Sequence, residues 1–288
     1  MPDGFINVLK PPGMTSHDVV SFIRRVYKMK KVGHAGTLDP AAAGVLPVAL
    51  GKATRLIEYL ADADKAYRTE MTLGFTTDSG DDTGTILEQS DFMMPSEAEI
   101  DFTFKKFLGK ITQVPPIYSA IKINGQRACD LARQNIEVSI PQREIEIHRM
   151  ALLKQNDSSI LFDVECSKGT YIRSLCMDIG QSFGIPAVMS FLVRLRVGSF
   201  CLEKSVALDE IKAMPEQAVC SMEEVLEHLP LVVLTEAQSK AFQQGQKIAF
   251  SPWKDSIHAI KVYQDKQFIG IARYDIDHRC LVPVKVIA

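Results

Sequence analysis

The spacing of apolar residues predicts helices and strands in the first half of the chain. Residues 15–28 (TSHDVVSFIRRVYK) place apolar side chains at helical spacing behind Thr15 or Ser16, either of which can cap the helix. Residues 96–109 follow the same pattern and open with a capping-box sequence. Residues 67–76 alternate between apolar and polar side chains. This alternation predicts a half-buried strand with Tyr67 on its apolar face.

Two patterns later in the chain predict a strand–helix unit and a separate C-terminal domain. Residues 159–186 predict a strand, a turn at Gly169 and a helix with Arg173 in its first turn. A cation is unfavourable at that end of a helix, so we expect Arg173 to have an acidic or phosphate partner. From Leu231 onward the pattern predicts one short helix and three strands between polar turns. We therefore divide the chain into a first domain, residues 1–230, and a small, mainly β domain, residues 231–288.

Composition is typical of a soluble globular protein. The chain has 288 residues, of which 46% are hydrophobic, enough to bury a large core. It contains no apolar run of the roughly 18 residues that a membrane span needs and no secretion signal at its start. We therefore expect a cytoplasmic protein that does not enter membranes. The six cysteines form no Cys-x-x-Cys pair, which indicates free thiols and argues against disulfides and structural zinc.

Local charge differs from the mean charge. The formal net charge of −2 argues against a protein that coats polyanions indiscriminately. Residues 24–31 (RRVYKMKK) nevertheless contain five basic side chains and no acid. These cations either complement the dipole at the end of the first helix or contact phosphates.

Several common types of site are excluded by their missing motifs. Residues 44–54 superficially resemble a P-loop, but Leu46 and Ala53 occupy the positions of its first glycine and its metal-binding hydroxyl. Dinucleotide-binding, metalloprotease and serine-hydrolase motifs are missing, and the histidines are not at metal-ligand spacing. Residues 76–84 are acidic but lack the EF-hand order, so they predict a connecting loop. The chemistry-bearing residues that remain are Asp39, His34, Tyr67 and Arg173. By itself, Asp39 before Pro40 is typical of a turn.

Five sequence blocks together resemble one enzyme family. They are GFINVLKPPGMTSHDVV (4–20), KKVGHAGTLDPAAAGVLPVALGKATR (30–55), KAYRTEMTLGFTTDSGDDTG (65–84), PPIYSAIKINGQRACDLAR (115–133) and CSKGTYIRSLCMDIG (166–180). Their order and approximate spacing resemble those of the bacterial tRNA pseudouridine-55 synthases, the TruB family. Two positions depart from the family's usual pattern: Ala43 stands where threonine is frequent, and Cys129 where tyrosine is frequent.

The resemblance implies a fold and a substrate. The implied fold class is α/β (α+β): the pseudouridine-synthase fold, with a central mixed, mainly antiparallel sheet flanked by helices. Residues 231–288 resemble the PUA RNA-binding domain, and residues 116–144 match an insertion that closes over the T-loop of tRNA. The implied reaction converts the uridine at position 55, in the T-arm of tRNA, to pseudouridine after base flipping. It needs no cofactor, no metal, no obligatory protein partner and no guide RNA.

The resemblance also implies roles for individual residues. Asp39 is the catalytic nucleophile, Arg173 pairs with it, and Tyr67 stacks on the target base. His34 occupies the place of the flipped uridine, while Tyr171 and Leu192 line the uracil pocket and Lys10 and Pro11 support the catalytic loop. The residues leave open whether Asp39 attacks C1′, attacks C6 or assists a glycal route. Two alternatives use the same surface: a noncatalytic RNA-binding protein or tRNA-folding chaperone, and a guide-RNA-dependent relative.

Overall fold

A computed structural model describes residues 2–119, 121–123, 125–134, 136, 139–227, 229–250 and 253–287. Its α-helices are α1 (Ser16–Val26), α2 (Ile57–Ala61), α3 (Glu97–Phe107), α4 (Ala128–Arg133), α5 (Ile172–Phe183), α6 (Leu208–Ala213), α7 (Met222–Val225) and α8 (Glu236–Gln243). Two 3₁₀ turns cover Gly51–Leu56 and Leu202–Lys204. None of the helices in these ranges is long and apolar enough to cross a membrane.

The strands before residue 231 are β1 (Gly4–Lys10), β2 (Val32–His34), β3 (Ala43–Leu50), β4 (Lys65–Leu73), β5 (Phe75–Thr77), β6 (Ile86–Gln89), β7 (Gly109–Gln113), β8 (Lys122–Ile123), β9 (Gln126–Arg127), β10 (Arg143–Gln155), β11 (Ser159–Cys166), β12 (Ala187–Val197), β13 (Phe200–Cys201) and β14 (Val219–Cys220). Those after it are β15 (Leu231–Leu234), β16 (Ile248–Ala249), β17 (Ile257–Gln264), β18 (Gln267–Asp275) and β19 (Cys280–Val286).

A ten-stranded sheet forms the body of the first part of the chain. Its order is β14-β1-β3-β12-β4-β11-β10-β7, with β2 added to β3 and β13 to β12. The β3–β12 pairing is parallel, whereas the neighbouring pairs are antiparallel. The predicted α+β class with a mixed, mainly antiparallel sheet is therefore confirmed.

Amphipathic helices cover this sheet and create two apolar cores. Helices α3 and α5 pack against β4, β11 and β12, where Phe104, Phe162 and Leu175 are buried. Helix α1 packs against β1 and β3, where Val19, Ile23 and Val48 are buried. Because apolar burial is the main favourable contribution to folding, these cores fix the loops that join the strands. The loop between β2 and β3 contributes Leu38 and Ala42 to the first of these cores.

The C-terminal strands form a five-stranded sheet, in the order β15-β17-β18-β19-β16, with α8 packed against it. The sheet also shares an apolar cluster with the first part of the chain. Phe268, Ile271 and Ile287 are buried together with Phe5 and Leu56. The two sheets are therefore joined by a continuous core.

The helices predicted at residues 15–28 and 96–109 are confirmed with their caps. The side chain of Thr15 accepts a hydrogen bond from the Asp18 N–H, and that of Ser96 accepts one from the Glu99 N–H. The predicted strand carrying Tyr67 is β4, and its alternation of buried and more exposed positions is as expected. The loop predicted at residues 76–84 is present from residue 78, between β5 and β6, whereas its first two residues belong to β5. The insertion predicted at 116–144 lies partly outside the described residues.

Candidate functional site

The loop between β2 and β3 holds Asp39 in a tight turn. The Ala42 N–H donates to the Asp39 carbonyl at 3.1 Å, and the Gly13 N–H donates to the Pro40 carbonyl at 2.8 Å. Ser16, at the start of α1, bonds to the backbone of Leu38 twice: it accepts from the N–H and donates to the carbonyl, at 2.9 and 3.1 Å. The Asp-Pro turn that the sequence predicts is thus present, and it is tied to the body of the protein.

Arg173 and Asp39 form an ion pair. Arg173 Nε lies 3.1 Å from Asp39 Oδ2, and the side chains are 7% and 35% exposed, respectively. The two terminal nitrogens of Arg173 donate to the carbonyls of Ser79 and Tyr118, each at 2.9 Å. The acidic partner predicted for Arg173 is therefore Asp39. Since all three nitrogens are engaged, the guanidinium is fixed while the carboxylate stays open to solvent.

Lys10 binds the backbone of the same turn through hydrogen bonds. Its Nζ donates to the carbonyls of Pro11, Pro40 and Ala42 at 2.8, 3.1 and 2.6 Å. The side chain is fully buried. Burial lowers the pKa of Lys10 to about 8, while the Asp39 carboxylate acts in the opposite direction. Pro11 contributes its carbonyl to this network.

Arg194 is a site residue that sequence reasoning missed. It projects from β12 and is 1% exposed. Its guanidinium donates to the carbonyls of Val45, Thr37 and Gly36 at 2.8, 3.2 and 3.2 Å. Among the described residues it has no carboxylate within 4.0 Å, but the charge of Asp39 opposes the lowering of its pKa by burial. Lys10 and Arg194 thus hold the ends of the Asp39 loop through backbone carbonyls.

Tyr67 and Leu192 lie on neighbouring strands beside this loop. Both are 7% exposed and belong to the apolar cluster that contains Leu38. Burial raises the pKa of Tyr67 to about 12, although the adjacent Arg194 guanidinium opposes the shift. Tyr67 therefore keeps its proton at neutral pH, and its hydroxyl lies within the electrostatic reach of Asp39.

Tyr171 and His34 lie at the ends of the segments that lead to Arg173 and Asp39. Tyr171 is the N-cap residue of α5, two positions before Arg173. His34 ends β2, where it pairs with Val48. Burial lowers the pKa of His34, and the positive charges of Arg194 and His17 contribute to the same shift. The imidazole is therefore neutral at pH 7.

The acidic loop between β5 and β6 also reaches the site. Asp81 accepts hydrogen bonds from the Ser79 hydroxyl at 2.7 Å and from the Thr83 hydroxyl at 2.6 Å. Burial raises the pKa of Asp81, but these hydrogen bonds and the nearby Arg173 outweigh it, and the net pKa is lowered. The loop thereby presents the Ser79 carbonyl to Arg173. Its turn-forming composition predicted a loop but gave no sign of this contact.

The arrangement presents one accessible carboxylate between fixed cations and beside an aromatic ring. No group of three His, Cys, Asp or Glu side chains in the described ranges could hold a metal ion. A carboxylate of this kind can act as a nucleophile or a base, and an aromatic ring on an apolar wall can stack on a planar base.

Solved structures share the whole architecture. The chain aligns over 99% of its length with 85% of a chain in the "Structure of H/ACA RNP bound to a substrate RNA containing 2'-deoxyuridine", at 27% identity and a TM-score of 0.76. It aligns equally far with the "Crystal Structure of a Cbf5-Nop10-Gar1 Complex", at 29% identity and a TM-score of 0.75.

Sequence comparisons identify the protein family more specifically than the shared fold does. Proteins named tRNA pseudouridine synthase B are 42% identical over 275 residues in Alkaliphilus oremlandii (93% of this chain, 92% of the relative) and 47% identical over 248 residues in Heliobacterium mobile (84% and 80%). Residues 24–172 match the TruB family pseudouridylate synthase N-terminal domain. Residues 173–231 match the tRNA pseudouridylate synthase B C-terminal domain, and residues 230–287 match "Pseudouridine synthase II TruB, C-terminal". The chain therefore belongs to the TruB family of pseudouridylate synthases.

Proposed function

We propose that this pseudouridine synthase acts on tRNA, converting the T-loop uridine at position 55, and that Asp39 is its nucleophile. The tRNA substrate is supported by the names of relatives at 42% and 47% identity. The observation that carries the assignment of Asp39 is its ion pair with Arg173, at 3.1 Å, in a side chain that remains 35% exposed. This exposure leaves the carboxylate accessible to a substrate, while the buried guanidinium holds it in place.

The reaction sets clear chemical demands. The C1′–N1 bond breaks, the uracil rotates and C1′ joins C5; the C5 proton leaves and N1 gains one. Oxidation states balance over the whole isomerisation, so the residues can perform it without a cofactor. The nucleophilic form of a carboxylic acid is its ionised carboxylate. Asp39 provides this group, and Arg173 holds it in place.

Tyr67 and His34 have complementary parts in base flipping. Extruding a base costs on the order of a few kcal/mol, and stacking on an aromatic ring returns roughly 1 to 3 kcal/mol. We assign the stacking surface to Tyr67, with Tyr171 and Leu192 lining the rest of the uracil pocket. A neutral His34 fills the vacated position in the RNA at little desolvation cost. The hydroxyl of Tyr67, protonated at neutral pH, serves in proton transfer.

The basic cluster near α1 is assigned to RNA phosphates. Arg25, Lys28, Lys30 and Lys31 are exposed, and none has an ion-pair partner within the part of the chain that the structure describes. Arg24 differs, because its guanidinium donates to the Val32 carbonyl at 3.1 Å. Neutralising the four exposed cations should weaken tRNA binding and flatten its salt dependence, with a slope change of about 0.7 to 0.9 per lost phosphate contact.

Three further features complete the proposal. The segment at residues 116–144 closes over the T-arm, and residues 231–288 act as a PUA-like RNA-binding domain after a catalytic domain of residues 1–230. The protein works in the cytoplasm without a guide RNA or protein partner. Independence from a guide is supported by the identities of 42% and 47% to relatives named tRNA pseudouridine synthase B, against 27% to the chain of the H/ACA RNP structure.

One experiment tests this proposal against a tRNA chaperone and a guided enzyme. Purified protein is incubated with unmodified tRNA transcript, and pseudouridine is mapped at single-nucleotide resolution. We expect modification at position 55 by the wild type and by Asp101→Asn, which changes an exposed aspartate of α3. We expect none by Asp39→Asn. Binding without modification by the wild type would favour the chaperone, and dependence on an added RNA would favour the guided enzyme. Full activity of Asp39→Asn would refute the nucleophile assignment.

A further inference from the structure

Tyr171 is clamped by a buried amide from another element. Gln113, the last residue of β7, is 1% exposed. Its Nε2 donates to the Tyr171 carbonyl at 3.1 Å, and its Oε1 accepts from the Tyr171 N–H at 2.8 Å. Both functional atoms of one side chain are therefore engaged by the backbone of one residue. Such a pair of bonds fixes both the position and the direction of that peptide segment.

Helix α5 begins without a local side-chain cap. Tyr171 occupies the N-cap position of α5, but its side chain makes no capping hydrogen bond. Serine, threonine, aspartate or asparagine usually fills this position and satisfies a free N–H of the first turn. Here the start of α5 is instead tied to the chain that follows β7: Ser174 donates to the Val114 carbonyl at 2.8 Å, and Arg173 to the Tyr118 carbonyl at 2.9 Å.

The ring of Tyr171 is restrained as well. Arg143 lies opposite Gln113 in the β7–β10 ladder, and its guanidinium carbon is 5.5 Å from the centroid of the Tyr171 ring. This distance is within the range of cation–π attraction. Gln113 thus fixes the backbone of Tyr171, while Arg143 covers its ring.

We propose that Gln113 is a positioning residue that sets Tyr171 and Arg173 for the reaction. Tyr171 immediately precedes α5, and Arg173 lies in the first turn of that helix. A shift of this turn moves the guanidinium relative to the Asp39 carboxylate, 3.1 Å away, and the Tyr171 ring relative to the uracil. Gln113 itself is buried and acts only through these residues. The effect of Gln113 on the rate of pseudouridine formation rests on the proposed function.

The test uses two replacements of similar volume and one matched control. Gln113→Glu keeps an acceptor for the Tyr171 N–H but, when ionised, loses the donor to its carbonyl; Gln113→Leu loses both bonds. Asn156→Ala is the control, because Asn156 also accepts two backbone N–H bonds, from Ser158 and Ser159, in the turn between β10 and β11. Single-turnover pseudouridine formation on tRNA transcript gives the maximal rate and the half-saturating protein concentration. Amide hydrogen exchange of residues 171–174 is measured in the free proteins.

We expect Gln113→Leu to lower the maximal rate by about 10- to 100-fold, the range that follows from a misplacement of about 1 Å, with half-saturation changed less than about threefold. Gln113→Glu should lie between Leu and wild type, and exchange at residues 171–174 should rise in the same order. Asn156→Ala should match the wild type in both. Rates of the Gln113 variants equal to wild type, or an equal loss in Asn156→Ala, would overturn the inference. If the wild type is inactive on tRNA, unchanged exchange in Gln113→Leu overturns the clamp, whereas increased exchange retains it and only the proposed substrate fails.

Discussion

Replacing Arg194 with methionine should strongly destabilise the fold. The change keeps most of the aliphatic stem but removes three hydrogen bonds to backbone carbonyls, at 2.8, 3.2 and 3.2 Å, from a side chain that is 1% exposed. A hydrogen bond to a charged group contributes about 1.5 to 3 kcal/mol. Relief from burying a guanidinium offsets part of that loss. We therefore expect the free energy of unfolding to fall by about 3 to 5 kcal/mol.

Urea unfolding followed by circular dichroism measures this change, with Arg68→Met as the matched control. Arg68 makes a bidentate ion pair with Asp163 at 2.8 and 2.9 Å, but its side chain is 44% exposed. Exposed pairs contribute about 0 to 1 kcal/mol, because solvent screens them. Arg194→Lys keeps the positive charge but lacks the planar guanidinium that reaches three carbonyls. Its stability should therefore lie between those of wild type and Arg194→Met.

A loss of stability in Arg194→Met no larger than that in Arg68→Met would contradict this expectation. That result would mean that the loop carbonyls find other partners and that the buried cation is dispensable to the fold. A second readout is the rate of pseudouridine formation by the folded fraction. It should fall in Arg194→Met because Asp39 loses the support of its loop on the β12 side.

Three further predictions concern the same site. The free energy of unfolding of wild type, relative to that of Lys10→Met, should increase from pH 8 to 10.5 in urea titrations. The pKa of Lys10 is about 8 in the folded protein, below its ordinary value of 10.5, so the unfolded chain binds more protons in this pH range. A decrease over this range would contradict the prediction. Tyr67→Phe should slow single-turnover pseudouridine formation while the Kd for tRNA stays unchanged, since only the hydroxyl is lost; an unchanged rate would remove Tyr67 from proton transfer. Gly44→Ala should lower the Tm much more than Gly109→Ala. Both glycines have positive φ, but only a Cβ at Gly44 would collide with backbone, at the Arg194 carbonyl oxygen; equal losses would show that the close approach relaxes freely.

Local signals explain which elements could be predicted from the sequence. Helices α1 and α3 and strand β4 were predictable because their signals lie within a few residues of one another. These signals are the capping boxes at Thr15 and Ser96 and the alternation along β4. Strand β3 was not predicted, because AGVLPVAL is buried almost throughout and its apolar residues show neither alternation nor a helical period. The short strands β15 and β16 also went unpredicted, since their pairing depends on β17 and β19.

The candidate site was only partly visible in the sequence. Arg173 was expected to have an acidic partner because of its place in α5, yet only the fold brings Asp39 to it. Arg194 and Gln113 carried no signal, since an arginine in an alternating strand and a glutamine at a strand end are ordinary surface residues. Their burial depends on elements distant in the chain. The roles assigned to Asp39 and its neighbours come from the family resemblance and stay predictions.

The apolar cluster shared by the two sheets makes the C-terminal strands part of the folding unit of the enzyme. Removing residues 231–287 would uncover Phe5 and Leu56, now buried against Phe268 and Ile271. It would also remove the Lys285–Glu58 contact at 3.2 Å. A shortened protein would expose a contiguous apolar patch and aggregate, so weak RNA binding by it would not show whether the tail contacts RNA. The proposed role of residues 231–288 in RNA binding has to be tested in the intact chain, by changing surface residues of this domain singly.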